Sequence, residues 1–194
     1  MGASERMNTT ARKSEQRRRF RSLRSEQLPL VETRIIEQVK ITLLERFSQT
    51  PQSLHLGLFW PLPGEPDLRL LRGLMQLNFA LPACGEKGDL RYHSWGSHPL
   101  REDHCGIPAP LEEPQLGAES LGLLLIPAIA VDLQGIRLGY GGGFYDRLRS
   151  RRNWRRIQAL AVLPQACVTS QPLPRDSWDV ALNGWITEEG LSLL

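Results

Sequence analysis

Histidine and cysteine are scarce in this chain, with four His and three Cys in 194 residues. His55, His93, His98 and His104 fall at no metal-binding spacing, and His104-Cys105 reads as a loop pair rather than the edge of a zinc site. Cys84, Cys105 and Cys167 are scattered and cannot all pair within one chain. They fit a reducing cytoplasm better than a disulfide framework. No apolar run approaches a membrane span. Met1-Gly-Ala-Ser-Glu-Arg6 lacks the charged-then-apolar layout of a secretory signal, and Gly2 has poor lipidation context. There is no nucleophile elbow, no Lys-Ser/Thr pair closing a glycine run, no dinucleotide fingerprint and no internal repeat. These absences exclude zinc hydrolases, secreted disulfide scaffolds, α/β-hydrolases and the two commonest nucleotide loops.

What is present suits one globular domain with a 41% hydrophobic share. Residues 1–9 are expected to form a flexible extension of a single domain over 1–194. Residues 1–24 hold eight Lys/Arg against two Glu, so the basic charge is concentrated at one end. A polyanionic partner would explain that excess, and so would a solvated basic helix. The second reading is preferred for most of these charges.

Periodicity predicts a helix over 10–24, with Lys13, Arg17, Arg21 and Arg24 along one face. A second helix is predicted over Val31–Phe47 from the stripe Ile35, Ile36, Val39, Leu43, Leu44 and Phe47, ended by Pro51. A strand at Leu54–Leu62 stops at Pro61-Leu-Pro-Gly64, and Asp67 caps a helix to about Leu77. Strands follow at Phe79–Cys84 and Leu90–Trp95, flanking a turn at Gly85–Asp89. Residues 96–118 read as a long irregular loop. Leu121–Ile129 is the most apolar strand and is placed at the centre; helix Phe144–Arg152 and strands Ile157–Val162 and Ala181–Thr187 complete the chain. Trp154, among arginines, is read as the end of an amphipathic helix rather than a base-stacking platform. The alternation implies an α/β fold of three layers, αβα, with a mainly parallel sheet flanked by helices. Ligands of such sheets sit beyond the C-terminal strand ends, where Trp60–Glu65, the loop after Ile129 and the segment after Leu163 fall.

The segment Arg137-Leu-Gly-Tyr-Gly-Gly-Gly-Phe-Tyr-Asp-Arg147 lies at that edge. Four glycines in five positions let another group approach the backbone closely. A helix opening at Phe144 would aim free N–H groups at the same spot, and Arg137 and Arg147 bracket it with cations suited to phosphate. An ordinary tight turn needs neither the arginines nor the aromatics, so the segment reads as a phosphate cradle.

Ile126-Pro-Ala-Ile-Ala-Val-Asp-Leu-Gln-Gly-Ile-Arg-Leu-Gly-Tyr-Gly-Gly-Gly-Phe-Tyr-Asp-Arg147 closely resembles the signature of the 5-formyltetrahydrofolate cyclo-ligase family. Lys13-Ser-Glu-Gln-Arg17, Phe59-Trp-Pro-Leu-Pro-Gly-Glu-Pro-Asp67, Gly106-Ile-Pro-Ala-Pro110 and Ala159–Gln165 resemble further motifs of that family in order. The resemblance implies a NagB/RpiA/CoA-transferase-like fold and an ATP- and Mg2+-dependent ring closure of 5-formyltetrahydrofolate to 5,10-methenyltetrahydrofolate. By resemblance, Lys13, Arg17, Arg137, Leu138, Gly139, Tyr140, Gly141, Gly142, Gly143, Phe144 and Tyr145 bind ATP, with Arg137 and Tyr145 catalytic. Trp60 and Glu65 hold the folate, together with Tyr140 through Phe144. The resemblance also makes Asp146 the magnesium ligand, with Asn183 standing where the family commonly carries Asp. The residues alone leave other roles open: core packing for Trp60, a solvated turn for Glu65, a helix-terminal acid for Asp146. The implied partners are small molecules, with no membrane or nucleic acid, and a cytoplasmic monomer is expected. A folate- or nucleotide-binding paralogue with reduced catalysis is the alternative, motivated by Asn183.

Overall fold

A computed structural model describes residues 3–47 and 53–194; Pro51, expected to end the second helix, lies outside them. Where two helices were expected there is one, α1 (Ala3–Phe47), 45 residues long with Pro29 inside it. An interior proline forfeits a backbone hydrogen bond and costs about 3 kcal/mol. Its ring is exposed, whereas Leu28, Val31, Ile35, Val39 and Leu43, three or four residues apart, are buried. Burying five such side chains at roughly 1.5–3 kcal/mol each outweighs the local cost. Leu44, assigned to the stripe from sequence, is 50% exposed.

β1 (His55–Gly57) is shorter than expected, and the chain continues irregularly to Trp60. Asp67 does cap, accepting from the Arg69 N–H, but it opens only a 3-10 turn and the short α2 (Leu71–Leu74). Gly73 adds no helix propensity, and Met75 is already extended. β2 (Asn78–Cys84) and β3 (Leu90–Ser94) match expectation within a residue. The expected loop contains β4 (Arg101–Glu102), β5 (Pro108–Ala109) and β6 (Gln115–Leu116). Next come β7 (Leu121–Pro127), β8 (Ala130–Asp132), β9 (Arg137–Leu138), α3 (Phe144–Ser150) and α4 (Arg152–Arg155). The chain finishes with β10 (Gln158–Val162), β11 (Val168–Thr169), β12 (Gly184–Thr187) and β13 (Gly190–Leu193), the last unforeseen from sequence.

The main sheet has eight strands in the order β13-β12-β10-β7-β1-β2-β3-β6. β12, β10, β7, β1 and β2 run parallel, and antiparallel strands border them on each side. Side chains alternate along β7: Leu123 and Leu125 join the cluster under α1, while Leu124 and Ile126 join Trp154 and Leu148 on the opposite face. The expected three-layer α/β architecture with a mainly parallel sheet is therefore what forms. Trp154 is 6% exposed and stacked on Tyr92 at 5.8 Å, so it belongs to the core. Among the described residues no helix is long and apolar enough to cross a membrane.

A small sheet of order β11-β8-β9 hangs beyond β7. Asp132, only 1% exposed, fastens it: Oδ1 accepts the N–H of Gln134 and Ile136, and Oδ2 accepts that of Leu173. This turn fixes where β9, and hence Arg137, leaves the sheet.

Replacing Pro29 by Ala should stabilise the protein by about 2 kcal/mol, the helix gain less the unfolded-chain entropy that proline removes. Urea unfolding checks this. An unchanged or lower midpoint would mean that α1 packs on the sheet better with proline at this position than without it.

Candidate functional site

The C-terminal ends of β1, β2 and β7 open into a cleft of about 430 Å³. Phe59, Trp60, Leu62 and Glu65 reach it from the segment after β1, Cys84 from the end of β2 and Pro127 from the end of β7. Arg137 through Asp146 form one wall, and the other cations come from α1, whose N-terminal part brings Lys13 and Arg17. Segments more than a hundred residues apart in the sequence thus line one cavity.

Arg17 makes the closest link, donating from Nε to the Gly139 carbonyl at 2.8 Å. Burial and the neighbouring charge of Arg21 make its guanidinium less basic than usual. Lys13 contacts two carboxylates that sequence reasoning passed over, Asp176 at 2.8 Å and Asp179 at 2.6 Å. Asp179 also accepts the Asp176 N–H, so this acidic turn is held as a unit. No spacing marked it in the sequence; its partner lies 163 residues away. Arg18 and Arg19 face solvent as expected.

The glycine segment is shaped by backbone need. Gly141 (φ 107°) and Gly143 (φ 64°) occupy positions that side chains rarely adopt. Arg147, expected to face phosphate, instead donates to the Gly142 carbonyl at 2.8 Å and to the Gly88 carbonyl at 2.6 Å. It does not line the cleft and acts as a brace for the loop. Arg137 does line it, with its side chain 7% exposed and paired to Asp146 at 2.9 Å. Its guanidinium also lies over the Tyr145 ring at 5.2 Å. Burial, then the negative charge of Glu65, holds the Tyr145 hydroxyl well above the usual phenol range. Leu138 pairs with Ala130 in β9 and is 2% exposed, presenting main chain more than side chain.

Arg24, placed from sequence on one face with Lys13, Arg17 and Arg21, is 3% exposed. It donates to the Ala128 carbonyl at 3.1 Å and to the Tyr140 hydroxyl at 2.6 Å. Beside it lies Glu65, 5% exposed, whose Oε2 accepts the Leu62 N–H at 2.8 Å. Glu65 Oε1 makes no hydrogen bond of good geometry among the described residues, although the Tyr140 hydroxyl stands next to it. Burial raises the Glu65 carboxyl above the ordinary glutamate value, opposed by the Leu62 N–H, Tyr140, Arg24 and Arg137. Tyr140 is pushed up to about 12, by burial and then by Glu65. Glu65 is therefore no solvated turn acid but a sheltered acceptor in the cleft. Trp60 forms the adjoining wall, edge-on to Trp95 at 6.4 Å.

Asn183 is not brought to Asp146. It does not line the cleft, and its Oδ1 accepts the Ala159 N–H at 2.9 Å, tying the entry of β12 to β10. Among the described residues no group of three His, Cys, Asp or Glu is poised for a metal ion. Asp146, Asp176 and Asp179 are the aspartates that line this part of the cleft beside the cations.

Comparison with known proteins gives one consistent family. The model of the 5-formyltetrahydrofolate cyclo-ligase family matches residues 9–188. A 5-formyltetrahydrofolate cyclo-ligase of Haemophilus influenzae is 38% identical over 87 residues, 43% of this chain and 46% of that protein. The Escherichia coli K12 protein of the same name is 38% identical over 68 residues, 34% of this chain and 36% of its own. The matched segments thus span less than half of these curated relatives. The solution structure of 5,10-methenyltetrahydrofolate synthetase from Aquifex aeolicus superposes with a TM-score of 0.75 at 28% identity, covering 94% of this chain and 92% of that one. The Mycoplasma pneumoniae synthetase shares the fold at a TM-score of 0.68 and 17% identity, over 91% and 99% of the two chains.

Burial makes the Glu65 charge a liability to stability. A carboxyl raised in the folded state binds more protons there than in the unfolded chain, so stability falls as pH rises from the ordinary glutamate range through the raised value. Glu65→Gln removes that loss. The variant should melt higher than the parent at neutral pH, with the advantage vanishing below the ordinary glutamate range. Thermal melts across pH test this; a variant less stable at neutral pH would show that the Arg24 and Tyr140 contacts outweigh desolvation.

Proposed function

The chain belongs to the 5-formyltetrahydrofolate cyclo-ligase family, and from that premise we propose that it converts 5-formyltetrahydrofolate and ATP to 5,10-methenyltetrahydrofolate, ADP and phosphate. The observation that carries the proposal is the cleft in which Lys13, Arg17 and Arg137 meet the glycine segment next to a sheltered carboxylate and an indole wall. A triphosphate suits the first group and a reduced pterin the second.

The formyl carbon on N5 is amide-like and its oxygen leaves badly. Transfer of the γ-phosphoryl to that oxygen makes it a leaving group. N10 then attacks the carbon, the N10 proton is lost, and phosphate departs to leave the amidinium of the methenyl product. Little covalent work falls to the protein, so catalysis rests on positioning and charge neutralisation. Lys13 and Arg17 would draw the phosphates from the α1 side, while Arg137 faces the group in transfer. Main-chain N–H groups between Gly139 and Phe144 would cradle the oxygens. Glu65 would accept from the amino-pyrimidinone edge of the pterin, which supplies the hydrogen bonds that its Oε1 lacks. Trp60 would pack against the ring, and Tyr145 would border the formyl group, held by Arg137.

Magnesium fits the donors present. Such an ion uses one or two carboxylates with phosphate oxygens and water rather than a preformed cage. Asp146, with Asp179 in place of Asn183, would hold it, and it would add charge neutralisation at the phosphates. In the free protein these acids are paired with Arg137 and Lys13. Cations and carboxylates thus balance each other until a triphosphate and its metal arrive, when each set gains the partner of opposite sign. The paralogue with reduced catalysis loses its motive, since Asn183 is engaged with β10 and lies outside the cleft.

Purified protein mixed with 5-formyltetrahydrofolate, ATP and magnesium should generate methenyltetrahydrofolate absorbance in proportion to enzyme; well-folded protein that gives none would refute the reading. Arg17→Ala should lower kcat/KM for ATP roughly 10- to 100-fold, the ~1.5–3 kcal/mol of a hydrogen bond to a charged group. Its unfolding free energy should change by about 1 kcal/mol or less. Arg18→Ala, one residue on and exposed, should turn over normally. Equal losses in both variants, measured under initial-rate conditions, would mean that general positive charge rather than the Arg17 position matters.

A further inference from the structure

Two of the three cysteines meet at the rim of the cleft. Cys84 ends β2 and is 7% exposed, while Cys105 is exposed on the connection between β4 and β5. Both line the cleft. Asp103 folds this connection onto the strand end, its Oδ2 accepting the Cys84 N–H at 2.6 Å. Its Oδ1 accepts the N–H of Cys105 at 2.8 Å and of Ile107 at 3.0 Å. His104 donates its N–H to the Cys84 carbonyl at 3.3 Å. Residues 103–105 therefore close over Cys84 from both sides of its peptide groups, and the Cys84 thiol, which donates to the Gly85 carbonyl at 3.6 Å, is close enough to the Cys105 thiol to be influenced by it. Nothing in the proposed ring closure uses either sulfur.

We propose that Cys84 and Cys105 are a redox-modification site, a dithiol that closes to a reversible disulfide and fastens the loop over residues 103–107 to the end of β2. Ile107, which lines the cleft, would then be carried on a covalently anchored segment. The oxidant is a small-molecule disulfide, and the exchange balances in two steps. The Cys105 thiolate attacks one sulfur of the oxidant, breaking its S–S bond, releasing one thiol and leaving a mixed disulfide on Cys105. The Cys84 thiolate then attacks the Cys105 sulfur, forms the internal bond and releases the second thiol. Two electrons pass from the protein sulfurs to the oxidant, and the two protein protons end on the released thiols. Access sets the order, because Cys105 is reachable and Cys84 is sheltered. Burial, followed by the contact with Cys105, pushes the Cys84 thiol up to about 12, so the second step is the slow one. In a reducing compartment the pair rests as the dithiol and bridges on oxidative challenge.

The test uses the native full-length protein and 2-hydroxyethyl disulfide, followed by alkylation of free thiols in denaturant and peptide mapping without reductant. The expected product is one peptide pair joined through Cys84 and Cys105, with Cys167 alkylated and the bridge removed by dithiothreitol. Cys105→Ser, a change at an exposed position, should lose the joined pair and leave Cys84 alkylated. Capture of Cys105 only as a lasting mixed disulfide, a Cys105 link between two copies, or three alkylated cysteines after treatment would each overturn the proposal. The readout is a covalent bond, so its failure is independent of whether the protein turns over folate.

Discussion

The bond from Arg17 to the Gly139 carbonyl joins the first motif of the chain to the glycine segment 122 residues further on, and the rest of the cleft is arranged around it. It exists because α1 is long. The buried stripe from Leu28 to Leu43 anchors the helix under the sheet, and the unbroken continuation through Pro29 carries Arg24, Arg17 and Lys13 past the open strand ends. A break at Pro29 would have freed the basic end as an arm. Tertiary packing, not propensity, makes a motif near residue 13 part of a site near residue 140.

The cleft is charged yet largely sheltered, which is tolerable only if each charge has a partner. Lys13 with Asp176 and Asp179, and Arg137 with Asp146, meet that condition in the free protein. Glu65 meets it in part, with one oxygen bonded and the other short of a donor. Incomplete satisfaction of a buried acceptor is a stability cost, and in an open cleft it is also readiness for a ligand that brings the donors. Asp132 and Arg147 have the opposite character. They are saturated by backbone groups and hold β9 and the glycine segment in place without reaching the cavity.

Much of this was legible in the sequence, where local signals coincide with the fold. Apolar stretches bounded by turn residues marked β2, β3, β7 and β10 within a residue or two, and the glycine segment announced itself by composition. Helix boundaries were not legible where packing overrode them, as at Pro29, or where the chain was too short to show a period, as in α2. Periodicity put Arg24 on one face with Lys13 and Arg17 but could not show what covers it; Ala128 and Tyr140, more than a hundred residues away, do. Asp176 and Asp179 carry no motif of their own and gain meaning only from Lys13. Asn183 was assigned to a metal by resemblance to a family pattern, and no feature of the sequence showed that its amide oxygen accepts from the β10 backbone.

The central claim is that a nucleoside triphosphate lies between the basic end of α1 and the glycine segment. Amide chemical shifts of the labelled protein, followed while a non-hydrolysable ATP analogue and magnesium are added, test it most directly. The account predicts saturable shifts at Gly139, Gly141, Gly142 and Gly143 together with Lys13 and Arg17, at a common affinity. Shifts that spare α1, or that spare the glycine segment, would contradict it.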